Sequence, residues 1–94
     1  MIPLELKPKL SKKARVQRDK VTGKNVLLYP ERGLVLNDTA YAIVERCDGA
    51  RTVGQIVDEL VAKFEGAGRE EIAREVQGFL QQLFDRTLLD EKRE

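Results

Sequence analysis

The sequence predicts a small α+β domain in which a three-stranded antiparallel sheet is followed by three helices, in a winged-helix-like order. Three observations carry this. The residues up to Leu36 are punctuated at turn spacing, first by a cluster ending at Gly23-Lys24 and then by Pro30. From Asn37 onward apolar residues recur instead at helical spacing, in three separate stripes. With 94 residues, the chain can form one core that buries roughly 60–70% of its unfolded surface.

The elements follow in order. Residues 1–13 hold two prolines and scattered leucines, and are read as an extended basic arm. From Ala14 the pattern alternates weakly through Arg15, Val16, Gln17 and Arg18 and, across the turn cluster ending at Gly23-Lys24, faces a second strand, Asn25 to Tyr29, whose bulky and branched residues suit a pleated, half-buried surface. Pro30 has φ preset for the second position of a turn and no N–H to donate, so Tyr29-Pro30-Glu31-Arg32 reads as a turn, with Gly33 free to take positive φ after it. Leu34 to Leu36 forms the third strand. Asn37 or Asp38 ends it and caps a helix carrying Ala40, Ile43, Val44 and Cys47 on one face, with Gly49 at its exit. Thr52 to Gln55 has capping-box spacing and opens a second helix, with Val53, Ile56, Val57, Leu60, Val61 and Phe64 along its apolar face. Glu70 and Glu71 suit the first turn of a third helix, which Ile72, Val76, Phe79 and Leu83 carry to about Arg86. Leu88 and Leu89 are a short apolar addition, and 91–94 a charged tail.

Charge is unevenly spread beneath a net +1. Residues 1–24 hold eight Lys or Arg against two acids, net +6, which leaves −5 on the remaining seventy. A basic arm can bind nucleic acid or an acidic partner, or can be a solvated terminus. Few aromatics argue against a stacking platform for bases. The longest apolar run, Ala40 to Val44, is far short of the ~20 residues that span a bilayer, and the start lacks a signal-peptide core. One cysteine cannot form an internal disulfide and fits a reducing compartment, so the expected location is the cytoplasm.

Catalytic chemistry has little to work with. Without histidine there is no imidazole base, no His-containing metal set and no Ser-His-Asp arrangement. Cys47 lies on an apolar stripe and reads as a packed thiol. Gly66-Ala67-Gly68 follows a helix and lacks the Lys-Ser/Thr of a phosphate loop. No catalytic residue, cofactor or metal is expected. A winged-helix order makes a DNA-binding regulator the alternative, but the third helix would carry Arg69, Arg74 and Arg86 against Glu70, Glu71, Glu75 and Asp85, and its net negative charge would be repelled by phosphates.

The stretch LLYPERGLVLND raises a different function. Alternation places Leu27 and Tyr29 opposite Val26 and Leu28, and Val35 opposite Leu34 and Leu36, so both sheet faces carry apolar side chains. Either the arm or Leu88-Leu89 covers the second face, or a partner does. The third strand is an edge, which a peptide could extend by β-augmentation. On the third helix Ala73, Leu80 and Phe84 widen the apolar arc toward Gln77, as a groove wall or as plain packing against the second helix.

The stretch from Val26 to Val57 resembles the PqqD family of pyrroloquinoline quinone (PQQ) biosynthesis, the peptide-recognition element of pathways for ribosomally made, modified peptides (RiPPs). The likeness lies in Leu28-Tyr29-Pro30-Glu31, in Leu36-Asn37 with Ala40 and Ile43, in Cys47-Asp48-Gly49, and in Arg51-Thr52-Val53 before Ile56-Val57. Weaker similarity covers Lys9 to Leu89. The resemblance implies that 14–90 is one peptide-binding domain, a non-catalytic chaperone holding the precursor PqqA for the radical S-adenosylmethionine enzyme PqqE. That enzyme would cross-link a glutamate and a tyrosine of the peptide. It also implies a peptide lying along the third strand, at Gly33, Leu34, Val35 and Leu36, against the third helix near Ala73, Gln77, Leu80, Gln81 and Phe84. A related domain for another RiPP precursor is an alternative, and the expected state is a monomer, with an edge-paired or swapped dimer the other choice. Arg32 departs from the family pattern, in which glycine follows Pro-Glu directly; a shift of one residue would exchange the faces of the third strand.

Overall fold

The hairpins and capped helices expected from the sequence are all present in the computed structural model, which describes residues 2–30 and 32–90. Element order is β1 (Lys9–Leu10), β2 (Arg15–Arg18), β3 (Asn25–Tyr29), β4 (Arg32–Leu36), α1 (Asp38–Glu45), α2 (Val53–Lys63), α3 (Arg69–Asp85) and β5 (Leu89–Asp90). Strands β2-β3-β4 form the antiparallel sheet, and the three helices follow it. Glu31 and the tail 91–94 lie outside the described residues.

Register is set by the turns. Asp19 stabilises the β2–β3 turn, its carboxylate accepting from the Val21 amide at 2.9 Å, which holds its pKa below the ordinary range. Gly23 supplies the positive φ, +74°, that this turn needs. On the other side Tyr29 pairs with Arg32, Leu27 with Leu34 and Val26 with Val35. Arg32 is thus absorbed as the residue closing the hairpin, and Leu36 is buried while Val35 is 59% exposed. Gly33 stays within β4 and does not take positive φ. Its use is spatial, because a Cβ there would come within 3.3 Å of Val26 Cγ1.

Asn37 caps α1, its Oδ1 accepting from the Ala40 amide at 2.8 Å. Thr52 and Gln55 form the reciprocal capping box of α2, at 3.1 and 2.8 Å. Between these helices Glu59 accepts from Arg46 and Arg51, and Arg51 also pairs with Asp48. Arg69 pairs with Asp58 at the α2–α3 corner. α3 ends in a Schellman motif in which the Leu88 amide bonds Leu83 C=O and the Thr87 amide bonds Phe84 C=O. Thr87 occupies the left-handed position, φ 56°, where glycine is usual and a β-branched residue is strained.

The chain termini differ from expectation. Residues 2–13 carry turns at Leu4-Glu5 and Lys12-Lys13 and are clamped to the body. Ile2 is buried at 5% exposure and Pro8 fully so. Leu6 C=O accepts from the Val53 amide and Leu4 C=O from the Gly54 amide, satisfying two N–H groups that the start of α2 leaves free. β1 pairs with β5, which makes Leu88 and Leu89 core residues and a structural closure. The sequence carried little signal for this, since Leu4 is 48% exposed and a turn, with the Leu6 amide donating to Pro3 C=O, interrupts any alternation between Ile2, Leu6 and Pro8.

The inward face of the sheet brings Leu27, Leu34, Leu36, Tyr29 and Val16 onto a core completed by Ile43, Val53, Ile56, Val57, Leu60, Ile72, Val76, Leu80 and Leu83. The outward face carries Val26, Leu28 and Val35. Neither the N-terminal segment nor Leu88-Leu89 covers that face, because both are engaged on the helical side.

Candidate functional site

The open edge of β4 is defined by the backbone. Asp19 N–H donates to Lys24 C=O at 2.8 Å, and bonded pairs in an antiparallel ladder recur at every second residue. Gln17↔Val26 and Arg15↔Leu28 are then the bonded pairs of β2–β3. Asn25, Leu27 and Tyr29 turn their backbone groups the other way, to Leu36, Leu34 and Arg32. The N–H and C=O groups of Gly33 and Val35 therefore point away from the sheet, where no strand pairs with β4 among the described residues.

Besides a recess of about 450 Å³ against Val35 and Leu36 themselves, which Gly23, Lys24, Asn25, Asn37 and Asp38 also line, two recesses lie at opposite ends of β4. One, of about 320 Å³, lies where β4 passes into α1 and is lined by Asn37, Thr39, Ala40 and Ile43 on one side and by Arg74, Glu75, Gly78, Phe79 and Gln82 of α3 on the other. The second, of about 290 Å³, lies at the hairpin end and is lined by Lys13, Tyr29, Pro30, Arg32, Arg86 and Leu88. α3 runs from one to the other. In the first, Phe79 is the partly open apolar wall, with Ala40 and Ile43 almost wholly buried beneath a polar rim. The second is basic, since Lys13, Arg32 and Arg86 make no ion pair among the described residues.

Of the residues expected to make the site, Gly33, Leu34, Val35 and Leu36 fall on this edge strand. Gly33 and Val35 offer backbone and an exposed surface, while Leu34 and Leu36 face inward. The expected helix residues are placed elsewhere. Leu80 is 0% exposed in the core, and Gln77 donates to Ile2 C=O at 3.0 Å. Ala73 is partly buried against the core, Gln81 bonds Asp85, and Phe84 is 39% exposed. None lines either recess. The physical reason is the helix's rotation. The buried stripe Ile72, Val76, Leu80 and Leu83 has two flanks, and on the one with Ala73, Gln77 and Gln81 it is Gln77 that holds the N-terminal segment, through Ile2 C=O. The opposite flank, with Arg74, Glu75, Gly78, Phe79 and Gln82, lines the first recess. One signal for it was legible: Gly78 interrupts an otherwise strong helix-forming run.

Cys47 is not placed for chemistry. It is buried just past α1, its Sγ donates to Ile43 C=O at 3.2 Å, and burial with nearby Asp48 pushes its pKa from 9.0 up to about 12. Among the described residues no group of three or more His, Cys, Asp or Glu could hold a metal, and no helix is long and apolar enough to cross a membrane.

These features define a class: a small α+β domain of three antiparallel strands and three helices, with an open strand edge beside a helix-walled trough. The chain belongs to the PqqD family, whose model, coenzyme PQQ synthesis protein D, matches residues 24–89. It is 41% identical over 88 residues to a PqqA binding protein of Rhodopseudomonas palustris (strain BisB5), an alignment covering 94% of this chain and 85% of that one. Its fold matches the solution structure of the PqqD truncation of Methylobacterium extorquens PqqCD, described as a functional, stand-alone RiPP recognition element, with a TM-score of 0.74 and 33% identity, covering 89% and 88% of the two chains. TbiB1 in complex with the TbiA(beta) leader peptide shares the fold at a TM-score of 0.72 and 20% identity, covering 92% of this chain and 99% of that one.

Proposed function

We propose that this protein is a non-catalytic peptide chaperone of PQQ biosynthesis that binds the precursor peptide PqqA as an added strand on β4 and presents it to the radical S-adenosylmethionine enzyme PqqE. The observation that carries this reading is the outward set of backbone groups at Gly33 and Val35, beside the recesses along α3. An extended peptide would pair with those groups and place alternate side chains toward the trough. The R. palustris relative is a PqqA binding protein and the M. extorquens domain a recognition element, which supports peptide binding here. Gly33, Leu34, Val35 and Leu36 form the strand side of the proposed site. Arg74, Glu75, Gly78, Phe79 and Gln82 replace the helix residues expected from sequence. The protein works as a cytoplasmic monomer, with one edge for one peptide.

Titration of PqqA into isotopically labelled protein tests this. The largest amide shifts should fall on Gly33 to Leu36 and on Arg74 to Gln82. Shifts confined to residues 2–13, or no binding at all, would overturn the reading.

A further inference from the structure

The recess at the hairpin end of β4 is lined by three cations and no carboxylate: Lys13, Arg32 and Arg86 stand there with Tyr29, Pro30 and Leu88. Elsewhere the arginines Arg46, Arg51 and Arg69 are paired with Glu59, Asp48 and Asp58, whereas these three cations make no ion pair among the described residues. Two of them are nevertheless held in place. Lys13 Nζ donates to Thr87 Oγ1 at 3.0 Å, and Arg86 Nη1 donates to Gln82 C=O at 3.3 Å. Most of their donors stay free, since an ammonium has three and a guanidinium five. The free carbonyls at the end of α3 favour a cation at Arg86. They do not account for Arg32, which reaches the recess from the opposite wall, paired across the hairpin with Tyr29. Like charges gathered around one recess repel, and an anion between them relieves that repulsion.

We infer that this recess is a carboxylate-binding subsite that fixes the register of the bound peptide, taking one acidic group, a side chain or the terminal carboxylate, where the peptide passes the hairpin end of β4. The inference rests on the peptide-binding reading above. Backbone pairing repeats every second residue and is alike for any sequence, so it holds a strand without choosing its register. Of the three recesses along β4, the one beside α1 balances Arg74 against Glu75, and the one against Val35 balances Lys24 against Asp38. Only the hairpin-end recess has a charge with which to select. A guanidinium meets a carboxylate with two parallel hydrogen bonds, a geometry an ammonium lacks, so Arg32 and Arg86 are the selecting residues and Lys13 adds charge.

The test uses the full chain, calorimetry at low salt, and PqqA peptides in which each Asp or Glu is changed in turn to its amide, plus one with an amidated C-terminus. Arg32→Gln should bind PqqA about tenfold more weakly, and Arg32→Gln with Arg86→Gln more weakly still. Thermal unfolding of Arg32→Gln should match the wild type, because that side chain is exposed and forms no ion pair among the described residues. One peptide should bind the wild type about as weakly as Arg32→Gln binds PqqA, yet lose little more on Arg32→Gln, since both changes remove one contact. Which peptide does so distinguishes a side chain from the terminus. Lys20→Gln removes the same charge away from the recess and should change affinity less than twofold; an equal loss there would reduce the effect to general attraction and overturn the inference. Glu31→Gln should bind at least as tightly as the wild type, and weaker binding would show that the cations serve the acid of their own turn. If the wild type binds PqqA and no peptide carboxylate couples to Arg32, the inference fails and the function stands. If the wild type itself does not bind PqqA, both readings fall.

Discussion

Replacing Val35 with proline separates the two jobs that β4 performs. In the register observed, the Val35 N–H points away from β3 and Val35 is 59% exposed, so proline removes no bond of the sheet and little buried surface. The preceding residue, Leu34, is already extended, as proline requires of its neighbour. Folding stability should fall by less than about 1 kcal/mol. Binding should suffer more: one augmenting hydrogen bond is worth about 1 kcal/mol net, and the ring also obstructs the edge, so PqqA affinity should drop at least tenfold, or about 1.4 kcal/mol. Leu34→Pro is the control. Its N–H faces Leu27 and its side chain packs on the core, so it should cost about 3 kcal/mol or more through a lost ladder bond, an unpaired buried carbonyl and lost packing. Circular dichroism melts give the first quantity and calorimetry the second. A folded Val35→Pro protein with undiminished affinity would refute augmentation at this edge. Equal destabilisation by the two prolines would refute the register from which the argument starts.

Three other measurements bear on the fold around the site. Deleting residues 2–8 removes the carbonyls that cap α2 together with the buried Ile2 and Pro8, and should lower stability by about 3 kcal/mol or more; a free arm would cost almost nothing, so an unchanged melting point would contradict the clamp. Thr87→Gly relieves a left-handed β-branched residue and gives up two exposed hydroxyl contacts, from Lys13 and to the Arg86 carbonyl, so it should stabilise by about 1 kcal/mol in urea titrations, and a loss of stability would show that the threonine contacts outweigh the strain. Cys47 should resist thiol reagents at pH 8 until the protein unfolds, since burial keeps it protonated to about 12. Its raised pKa contributes stability below pH 9.0, where folded and unfolded thiols are both protonated, and loses it as pH rises toward about 12 and only the unfolded chain ionises. Rapid labelling of the folded state would overturn that assignment.

How much of this was legible depended on whether the information was local. The Tyr29-to-Arg32 hairpin, the Asn37 cap and the Thr52–Gln55 box each involve residues within four positions of one another, where backbone preference and side-chain reach decide the outcome. So did the edge strand, because Gly33 to Leu36 is the final strand before the helices and has no later strand of the sheet to pair with. The helix side of the site was different. The widened apolar arc of α3 left a groove wall and plain packing on the second helix both open, and telling its flanks apart required knowing where Ile2 would lie, 75 residues away in sequence, with its carbonyl held by Gln77.

By itself, then, the sequence determined the order and type of the main elements, the turn that sets the β3–β4 register, the packed cysteine and the family. All follow from short-range periodicity, capping chemistry and a contiguous motif. The tertiary structure decided what those elements face. It turned residues 2–10 from an arm into a clamp, drew Leu88 into the core and Leu89 into a closing strand, left the outer sheet face uncovered, and rotated α3 so that Gly78 and Phe79 line the recess beside α1 while Leu80 goes to the core. Helical periodicity specifies which residues share a face, whereas the identity of the neighbour on that face is set by long-range packing. That is why the edge strand could be placed from the sequence, and the α3 residues that line the recess beside α1 only from the fold.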